Sequence, residues 1–407
     1  MNIFLILKKI LKLFSLKKKI ILPKKKRLFI YDSNTYRTGY ENFLTTDETF
    51  VFDVRYESLY IILYFKAMLI KLFFFSNQKI IQLYTIEVIK VVNPEFLICF
   101  SHYTFAFWEL KKHFKNKTFI MCQHTIALGY DGEYHPNPIL LAKKKFKEKE
   151  KIDHIFLWGE AMINAYKQCL DGKFYTCGSI KNNFNKNKKI ENEKDLVFMS
   201  QYFDKEDHIQ IPIEDGTYIS RYEFKLKERS EALKLLYQYC LNNNLNLVIA
   251  PRSFKKKDLD SEKNYYENIL NGGKFKFLDR TKEFQIYDYF NEYKYYVVID
   301  CSTGYEALAR GKKVAHLNIV YDVSRVSGGK NNRYGWPGQF DLKGPFWTNK
   351  ASKEEIFRCL DFIFKTNERD WNEIKQKYVD PIIIYDEENS TFKNNLKKIG
   401  LKINLNG

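Results

Sequence analysis

The segment 297–317, VVIDCSTGYEALARGKKVAHL, combines an apolar run with residues that could bind an anion. The run ends in an acid, and small hydroxyl and glycine residues follow it: Asp300, Ser302, Thr303 and Gly304. Such a turn at the start of a helix leaves backbone N–H groups and hydroxyls available to a phosphate. Glu306 falls in the first turn of this helix, where it could face a ribose or a sugar. The alternative is a capped crossover, with Ser302 or Thr303 as N-cap and Glu306 completing a capping box.

Two other strand ends could contribute to the same anion site. Arg252, in the sequence IAPRS, follows a predicted buried strand, and its guanidinium could pair with a phosphate through two hydrogen bonds. Ser200 and Gln201 end the first strand of the second half and could touch a base or a ribose. For Arg252 the alternative is a surface arginine on a turn. For Ser200 and Gln201 it is ordinary hydrogen bonding at a strand end.

A hydroxyl group that attacks a phosphate-activated carbon needs a carboxylate or imidazole to take its proton. The sequence QHTIALGYDGEYH follows a strand of the first half and offers His124, Asp131 and Glu133. Asp32, at the end of the first strand, is a fourth candidate. For each of them a solvated loop residue is the alternative. His124 could also do no more than shape a pocket.

Metal and nucleotide motifs of other classes are absent from the sequence. It has no Walker loop, GxGxxG, HExxH or GxSxG pattern, and its one DxD-like triplet, at 258–260, lies in a lysine-rich loop. The seven cysteines are scattered without CxxC spacing, which indicates reduced thiols in the cytosol and argues against a disulfide framework and against a zinc site. We expect no metal and no cofactor.

Alternating apolar runs and helical segments must position these residues. Strands are predicted at 28–31, 49–53, 96–100, 118–122, 154–158 and 173–177, and in the second half at 196–200, 245–250, 275–278, 296–299 and 313–317. Helices between such strands predict an α/β fold with two Rossmann-like domains that face each other across a cleft. The polar stretch 182–195 is read as a linker. We expect the aromatic residues around Trp336 and Trp347 to pack between the two domains; stacking on a sugar is the alternative.

The predicted divisions are a basic leader (1–26), an N-terminal domain (27–185), a C-terminal domain (195–370) and a terminal helix with a tail (371–407).

The formal charge of +18 implies attraction to anions without choosing among lipid, nucleotide, acidic sugar and nucleic acid. In the leader, Ile3, Leu7, Ile10, Leu11 and Phe14 share one helical face among lysines. This pattern predicts an interfacial helix on an anionic membrane; a loosely packed basic leader is the alternative. The apolar stretch 59–75 contains two lysines and is shorter than the ~20 residues of a span.

The order of several short motifs resembles the GT-B glycosyltransferases of surface-carbohydrate biosynthesis, a group described as O-antigen or surface carbohydrate biosynthesis proteins. Besides the STGYEALARGKK turn, the matching segments are NPE (93–95), SH (101–102), QH (123–124), LWGE (157–160), GSIKNN (178–183), FMSQY (198–202), YGWP (334–337) and GPFW (344–347). The resemblance covers about residues 28–371. One departure is that Thr125 stands where a glycine usually follows the QH pair.

The resemblance implies transfer of a sugar from a nucleotide-activated donor to a lipid-linked glycan, by a cytoplasmic enzyme at the inner face of the membrane. The donor would bind the C-terminal domain and the acceptor the N-terminal one. The Arg252 turn resembles the P-R-H-P segment of transferases that use CMP-activated acidic sugars, with Ser253 in place of the histidine. Two other classes stay open: a nucleic-acid-binding basic protein, although no RNA or DNA module is recognised, and a non-catalytic scaffold of a polysaccharide assembly complex.

Overall fold

A computed structural model describes residues 17–32, 44, 46–53, 58–73, 78–126, 138–184, 186–187, 193–202, 210–212, 218–299, 301–319, 336 and 343–401. Several sequence predictions lie outside these residues: the helical face of the leader, Asp131, Glu133 and Asp300.

The N-terminal domain contains a six-stranded parallel sheet in the order β3-β2-β5-β6-β7-β8. Its strands are β2 (Leu28–Tyr31), β3 (Thr49–Phe52), β5 (Phe96–Cys99), β6 (Thr118–Cys122), β7 (Glu150–Leu157) and β8 (Leu170–Thr176). A separate parallel pair joins β1 (Lys17–Lys19) to β4 (Ser58–Tyr60). The helices are α1 (Ile61–Phe73), α2 (Ile80–Val92), α3 (Phe105–Leu110), α4 (Pro138–Lys145) and α5 (Glu160–Tyr166).

The C-terminal domain contains a second six-stranded parallel sheet, in the order β13-β12-β9-β14-β15-β16. Its strands are β9 (Asp195–Met199), β12 (Asn246–Ala250), β13 (Lys276–Phe277), β14 (Tyr295–Ile299), β15 (Lys313–Leu317) and β16 (Trp347–Thr348). The pair β10 (Gln210–Pro212) and β11 (Tyr218–Ser220) is antiparallel. The helices are α6 (Arg221–Asn242), α7 (Lys256–Leu270), α8 (Ile286–Tyr289), α9 (Ser302–Ala309), α10 (Lys353–Lys365), α11 (Glu368–Tyr378) and α12 (Ser390–Lys398).

Four inner strands of the two sheets are buried along their whole length. Every residue of β2, β5, β9 and β14 is buried, as parallel strands covered by helices on both faces require. These continuous apolar runs are the feature that identified the strands in the sequence. The predicted α/β fold with two Rossmann-like domains is confirmed.

The end of the chain returns to the N-terminal domain. Phe392 and Leu396 of α12 pack with the apolar residues on one face of the N-terminal sheet, and the rings of Phe156 and Phe392 lie 4.9 Å apart. Ahead of this helix, the backbone N–H of Ile384 donates to the carbonyl of Trp158 at 3.0 Å. The sequence predicted only a terminal helix with a tail at 371–407. This contact could not be predicted, because only the tertiary structure brings the residues after 380 to the N-terminal domain.

The aromatic group near the end of the C-terminal domain belongs to that domain's own core. Trp336 and Trp347 are buried with their rings 5.2 Å apart, and Trp336 Nε1 donates to the carbonyl of Tyr378 at 2.6 Å. Tyr305 of α9 packs on Trp336 at 5.0 Å. The expectation that these rings pack between the domains is wrong, because α11 covers them from within the same domain.

Within the described residues, no helix is both long and apolar enough to cross a membrane.

Candidate functional site

A cavity of about 360 Å³ lies at the carboxyl edge of the C-terminal sheet and is closed on one side by the N-terminal domain. The sheet order reverses between β9 and β14, which makes this the switch point where ligands bind in open α/β sheets. Residues after three neighbouring strands line the cavity, together with one loop of the other domain: Ser200, Gln201, Pro251, Arg252, Cys301, Ser302, Thr303, Thr125 and Ile126. The structure therefore brings five of the predicted donor-site residues together in a cleft between the two domains.

The start of α9 faces this cavity. Its N-cap is Cys301, in an extended conformation and with no side-chain hydrogen bond to the helix, so the capping-box alternative is wrong. Gly304 does not line the cavity. A Cβ atom at this position would lie 2.5 Å from Cγ2 of Val298, so glycine is needed for the close approach of α9 to β14. This approach brings the helix N-terminus, with its backbone N–H groups, to the end of the strand.

Two arginines meet at the turn after β12. The N–H of Arg252 donates to Glu262 Oε1 at 3.0 Å, and the Arg252 guanidinium donates to the carbonyl of Tyr202 at 3.1 Å. Arg280 also lines the cavity, and its Nη1 donates to the carbonyls of Pro251, at 3.1 Å, and of Arg252. Partial burial lowers the pKa of Arg280, which nevertheless stays cationic at neutral pH.

Sequence reasoning missed Arg280 and Glu262. The signal for Arg280 was present, since it lies three residues after β13, as Arg252 lies two residues after β12, and parallel strands end at the same edge. Glu262 is completely buried on α7, and burial raises the pKa of its carboxyl group. It accepts the N–H groups of Arg252 and Ser253, the latter at 3.4 Å, and so shapes the turn that presents Arg252.

Ser200 and Gln201 line the cavity, but the protein itself uses part of their hydrogen-bonding capacity. The hydroxyl oxygen of Ser200 lies 2.5 Å from the hydroxyl of Tyr266 and accepts the N–H of Tyr202 at 3.1 Å. The side-chain oxygen of Gln201 accepts Nη2 of Arg229 at 2.9 Å. These bonds fix the strand end, as the alternative reading expected.

His124 follows β6 directly before the cavity-lining Thr125. Its backbone N–H donates to Nδ1 of the buried His102 at 3.1 Å. The side-chain oxygen of the preceding Gln123 accepts the backbone N–H of Trp158 at 2.8 Å, which holds the loop in place. His124 Nδ1 is buried without a hydrogen-bond partner in the described part of the chain. Burial, with a contribution from Lys181, lowers the pKa of His124 to about 4, so the imidazole is neutral at pH 7. A neutral imidazole is the form that accepts a proton.

Asp32 lies elsewhere on the same edge. It directly follows β2 with a φ of 77°, in the left-handed region, and β5 lies between β2 and β6, the strand that precedes His124. Asp32 is not among the residues that line the cavity. Asp131, Glu133 and Asp300 lie outside the residues that the structure describes.

Glu306 does not face the cavity, in contrast to the expectation from its place in the motif. It is the fifth residue of α9 and only 5% exposed, and its carboxylate accepts a hydrogen bond from Ser179 of the N-terminal domain. The hydroxyl of Tyr287 lies 3.1 Å from both carboxylate oxygens. Burial raises the pKa of the Glu306 carboxyl group. Glu306 lies one turn beyond Ser302 and Thr303 on the same face of α9, and there Ser179 of the N-terminal domain covers it, so it is buried between the domains and not open to the cavity.

The GSIKNN segment is the other half of this domain contact. Asn182 and Asn183 are completely buried, although the sequence reading assigned them to a polar linker. Asn182 Nδ2 donates to the carbonyl of Glu306 at 2.8 Å, and Arg310 Nη2 donates to the carbonyl of Asn182 at 3.1 Å. Asn183 Nδ2 donates to Asn389 Oδ1 at 3.0 Å. The two asparagines thus join the N-terminal domain to the C-terminal domain and to the returning end of the chain.

No group of three or more His, Cys, Asp or Glu side chains suited to a metal ion occurs among the described residues.

Solved structures of several activities resemble this chain at low identity. One is described as "putative UDP-N-acetylglucosamine 2-epimerase" from Listeria monocytogenes, with 13% identity, a TM-score of 0.48, and coverage of 93% of this chain and 96% of that chain. The wall teichoic acid polymerase TagF has 11% identity, a TM-score of 0.45, and coverage of 93% and 90%. A variant of S. aureus TarM in complex with fondaparinux, α-GlcNAc-glycerol and UDP has 14% identity, a TM-score of 0.41, and coverage of 79% and 59%.

No curated protein matches the sequence significantly. A protein family does match, over residues 134–400, and its description is "putative O-antigen biosynthesis protein". The match spans well over half of the 407 residues and includes the GSIKNN segment, the Arg252 turn and α9. It agrees with the family resemblance of the short motifs, and the chain therefore belongs to this O-antigen biosynthesis family.

Proposed function

We propose that this protein is a glycosyltransferase of bacterial surface-polysaccharide biosynthesis, which moves a sugar from a nucleotide-activated donor to a lipid-linked glycan. One observation carries the proposal: the N-terminus of α9, Arg252 and Arg280 converge on one cavity at the switch point of the C-terminal sheet. Positive groups fixed around a small cavity are suited to a phosphate whose charge grows as its bond to the sugar breaks.

In the proposed reaction, the oxygen of an acceptor hydroxyl forms a bond to the anomeric carbon of the donor sugar. The bond from this carbon to the donor phosphate oxygen breaks, and its electron pair leaves with the phosphate. Arg252, Arg280 and the amides at the start of α9 stabilise this leaving anion, and the acceptor proton passes to a base.

His124 is the base that its position favours. It directly precedes Thr125 and Ile126, which form the N-terminal wall of the cavity, and its imidazole is neutral. A pKa of about 4 makes it a weak base in the empty cleft. The negative charge of a bound donor would raise this pKa toward neutrality and so strengthen the base. Asp32, Asp131 and Glu133 are retained as alternative bases.

The donor is proposed to be a nucleotide-sugar, and a CMP-linked acidic sugar fits the two arginines. A phosphodiester and a sugar carboxylate present two anions, and Arg252 and Arg280 supply two cations at one turn. The acceptor is proposed to be carried by lipid at the inner face of the cytoplasmic membrane. A scaffold without catalysis and a nucleic-acid-binding protein are the competing functions.

A thermal-shift comparison of CMP, UDP, GDP and dTDP tests the donor site. A nucleotide at 100 times its Kd should stabilise the native protein by about 2.7 kcal/mol. Arg252→Ala should remove this shift. Arg369→Ala should keep it, because Arg369 lies on α11 with 88% of its side chain exposed. Absence of a shift with all four nucleotides and their sugars would contradict the donor site and favour the scaffold.

A further inference from the structure

Helix α1 directs an apolar face away from the domain. Its buried residues are Leu63 and Ala67. On the outer side five large apolar side chains are each 50–74% exposed: Ile62, Phe65, Leu69, Leu72 and Phe73. Steps of three, four and three residues align the first four in one stripe along the helix. Exposed hydrophobic residues on protein surfaces are usually single and scattered. A contiguous apolar surface such as this one therefore indicates a contact site.

A second apolar segment continues this surface. β1 pairs in parallel with β4, with Lys19 opposite Tyr60, so that Ile20 and Ile61 leave the pair side by side. Ile20, Ile21 and Leu22 are all exposed. These three residues and the five on α1 are called the α1 face. The α1 face holds eight of the fourteen large exposed apolar residues in the described part of the protein, so exposure is concentrated in one region.

The two segments that form the α1 face carry basic side chains and no acidic ones. Residues 17–27 contain six lysines and one arginine, residues 58–73 contain two lysines, and neither segment contains an acid. Lys66 also pairs with Glu87 of α2 at 2.6 Å, with 58% of its side chain exposed. Lysine is depleted in the cores of protein–protein interfaces, whereas apolar side chains among lysines are typical of surfaces that bind anionic lipid.

We propose that the α1 face docks on the surface of an anionic lipid bilayer. Its apolar side chains enter the headgroup region, and the lysines around them pair with lipid phosphates. Helix α1 has 13 residues and is about 20 Å long, so it lies along the surface of the bilayer. Residues 20–22 of this face and the lysines beside them belong to the basic leader predicted at 1–26, whereas α1 lies outside that leader; the contact does not require the proposed transfer reaction.

The position of α1 relates the bilayer to the cleft. Gln78 and Lys79, just ahead of α2, line a cavity of about 510 Å³ together with Tyr31, the last residue of β2. The start of α2 therefore lies at the carboxyl edge of the N-terminal sheet, the edge that faces the cleft. A short connection joins Phe73 to this point. Docking through the α1 face would bring the N-terminal side of the cleft toward the membrane.

Tryptophan fluorescence provides a direct test, because all five native tryptophans are buried. Phe65→Trp places an exposed indole on the α1 face. Leu241→Trp, at a 62% exposed position on α6, is the matched control. The full-length variants are mixed with phosphatidylcholine vesicles that carry brominated acyl chains, with and without phosphatidylglycerol. We expect a blue shift and quenching of Phe65→Trp alone, only with phosphatidylglycerol, and weakened by salt.

A triple variant supplies the energetic test. Ile62→Gln, Phe65→Gln and Leu69→Gln together should lower the vesicle partition coefficient ~10-fold or more, while the melting temperature stays unchanged. Equal quenching of Phe65→Trp and Leu241→Trp in vesicle-bound protein would overturn the proposal, and so would a failure to bind these vesicles. A blue shift that grows with protein concentration in the absence of lipid would instead assign the face to a second copy of the chain. None of these outcomes affects the nucleotide-induced thermal shift, which tests the transfer reaction separately.

Discussion

The hydroxyl of Ser179 in the N-terminal domain donates a hydrogen bond to the carboxylate of Glu306 in the C-terminal domain. Glu306 belongs to α9, the helix whose first residues line the cavity between the domains. One short helix thus contributes both to the ligand site and to the contact that holds the two domains together. Changes at its start should affect ligand binding, and changes at Glu306 should affect stability.

Glu306→Ala should therefore destabilise the protein. The change leaves the buried hydroxyls of Ser179 and Tyr287 without their acceptor, at a cost of about 1–3 kcal/mol. Glu306→Gln should cost less, since an amide oxygen can still accept. Urea unfolding measures the effect, with Glu373→Ala as the control because 68% of that side chain is exposed. An unchanged urea midpoint for Glu306→Ala would show that the buried contact contributes nothing.

Arg280→Ala should weaken nucleotide-sugar binding although the motif comparison does not include Arg280. Loss of a charge-assisted hydrogen bond of about 1.5–3 kcal/mol corresponds to roughly 10–100-fold in Kd. Isothermal titration calorimetry measures this change. Lys282→Ala is the control, because Lys282 is exposed two residues away and does not line the cavity. A Kd within about twofold of the parent protein would exclude Arg280 from the site.

Gly304→Ala should destabilise the packing of α9 on β14. The added Cβ would meet Val298 Cγ2 at 2.5 Å, and overpacking of this kind costs about 1–3 kcal/mol. Val298→Ala removes the obstructing methyl groups, so the double variant should be more stable than the sum of the two single changes predicts. Chemical denaturation of the four proteins gives the coupling energy. Simple additivity would show that the contact does not limit the helix position.

Acid should destabilise the protein through its buried histidines. Burial lowers the pKa of His316 to about 4 and that of His102 to about 3. Between about pH 6.5 and pH 4 the unfolded chain therefore takes up protons that the native state does not bind, so stability falls as pH falls. Each histidine should contribute about 1.4 kcal/mol per pH unit.

The variant His316→Gln tests this pH dependence. It should reduce the loss of stability between about pH 7.5 and pH 5, measured by urea unfolding, because one titrating group is gone. Desolvation also lowers the pKa of His113, but this side chain is exposed, so His113→Gln should reduce the loss less than His316→Gln does. An identical pH dependence in the His316 variant and the parent protein would contradict the assignment.

The fold and part of the site could be predicted from local sequence. Buried parallel strands require continuous apolar runs, so β2, β5, β9 and β14 were recognisable. Because all strands of such a sheet end at one edge, the residues that follow β9, β12 and β14 had to lie near one another. Arg252 and Ser302 were found by this rule, and Arg280 obeys it as well.

Only the tertiary structure decided which polar residues turn inward between the domains. Glu306 and Ser179 are 127 residues apart in the chain, and Asn389 and Ile180, which also hydrogen bond, are 209 apart. Sequence periodicity says which face of a helix a residue shares, but not which distant segment covers that face. The buried asparagines 182 and 183 therefore read as a polar linker until the second domain and the returning chain end are packed against them. Apolar burial within each domain is a local property of the sequence, whereas polar contacts between domains depend on how the finished domains meet.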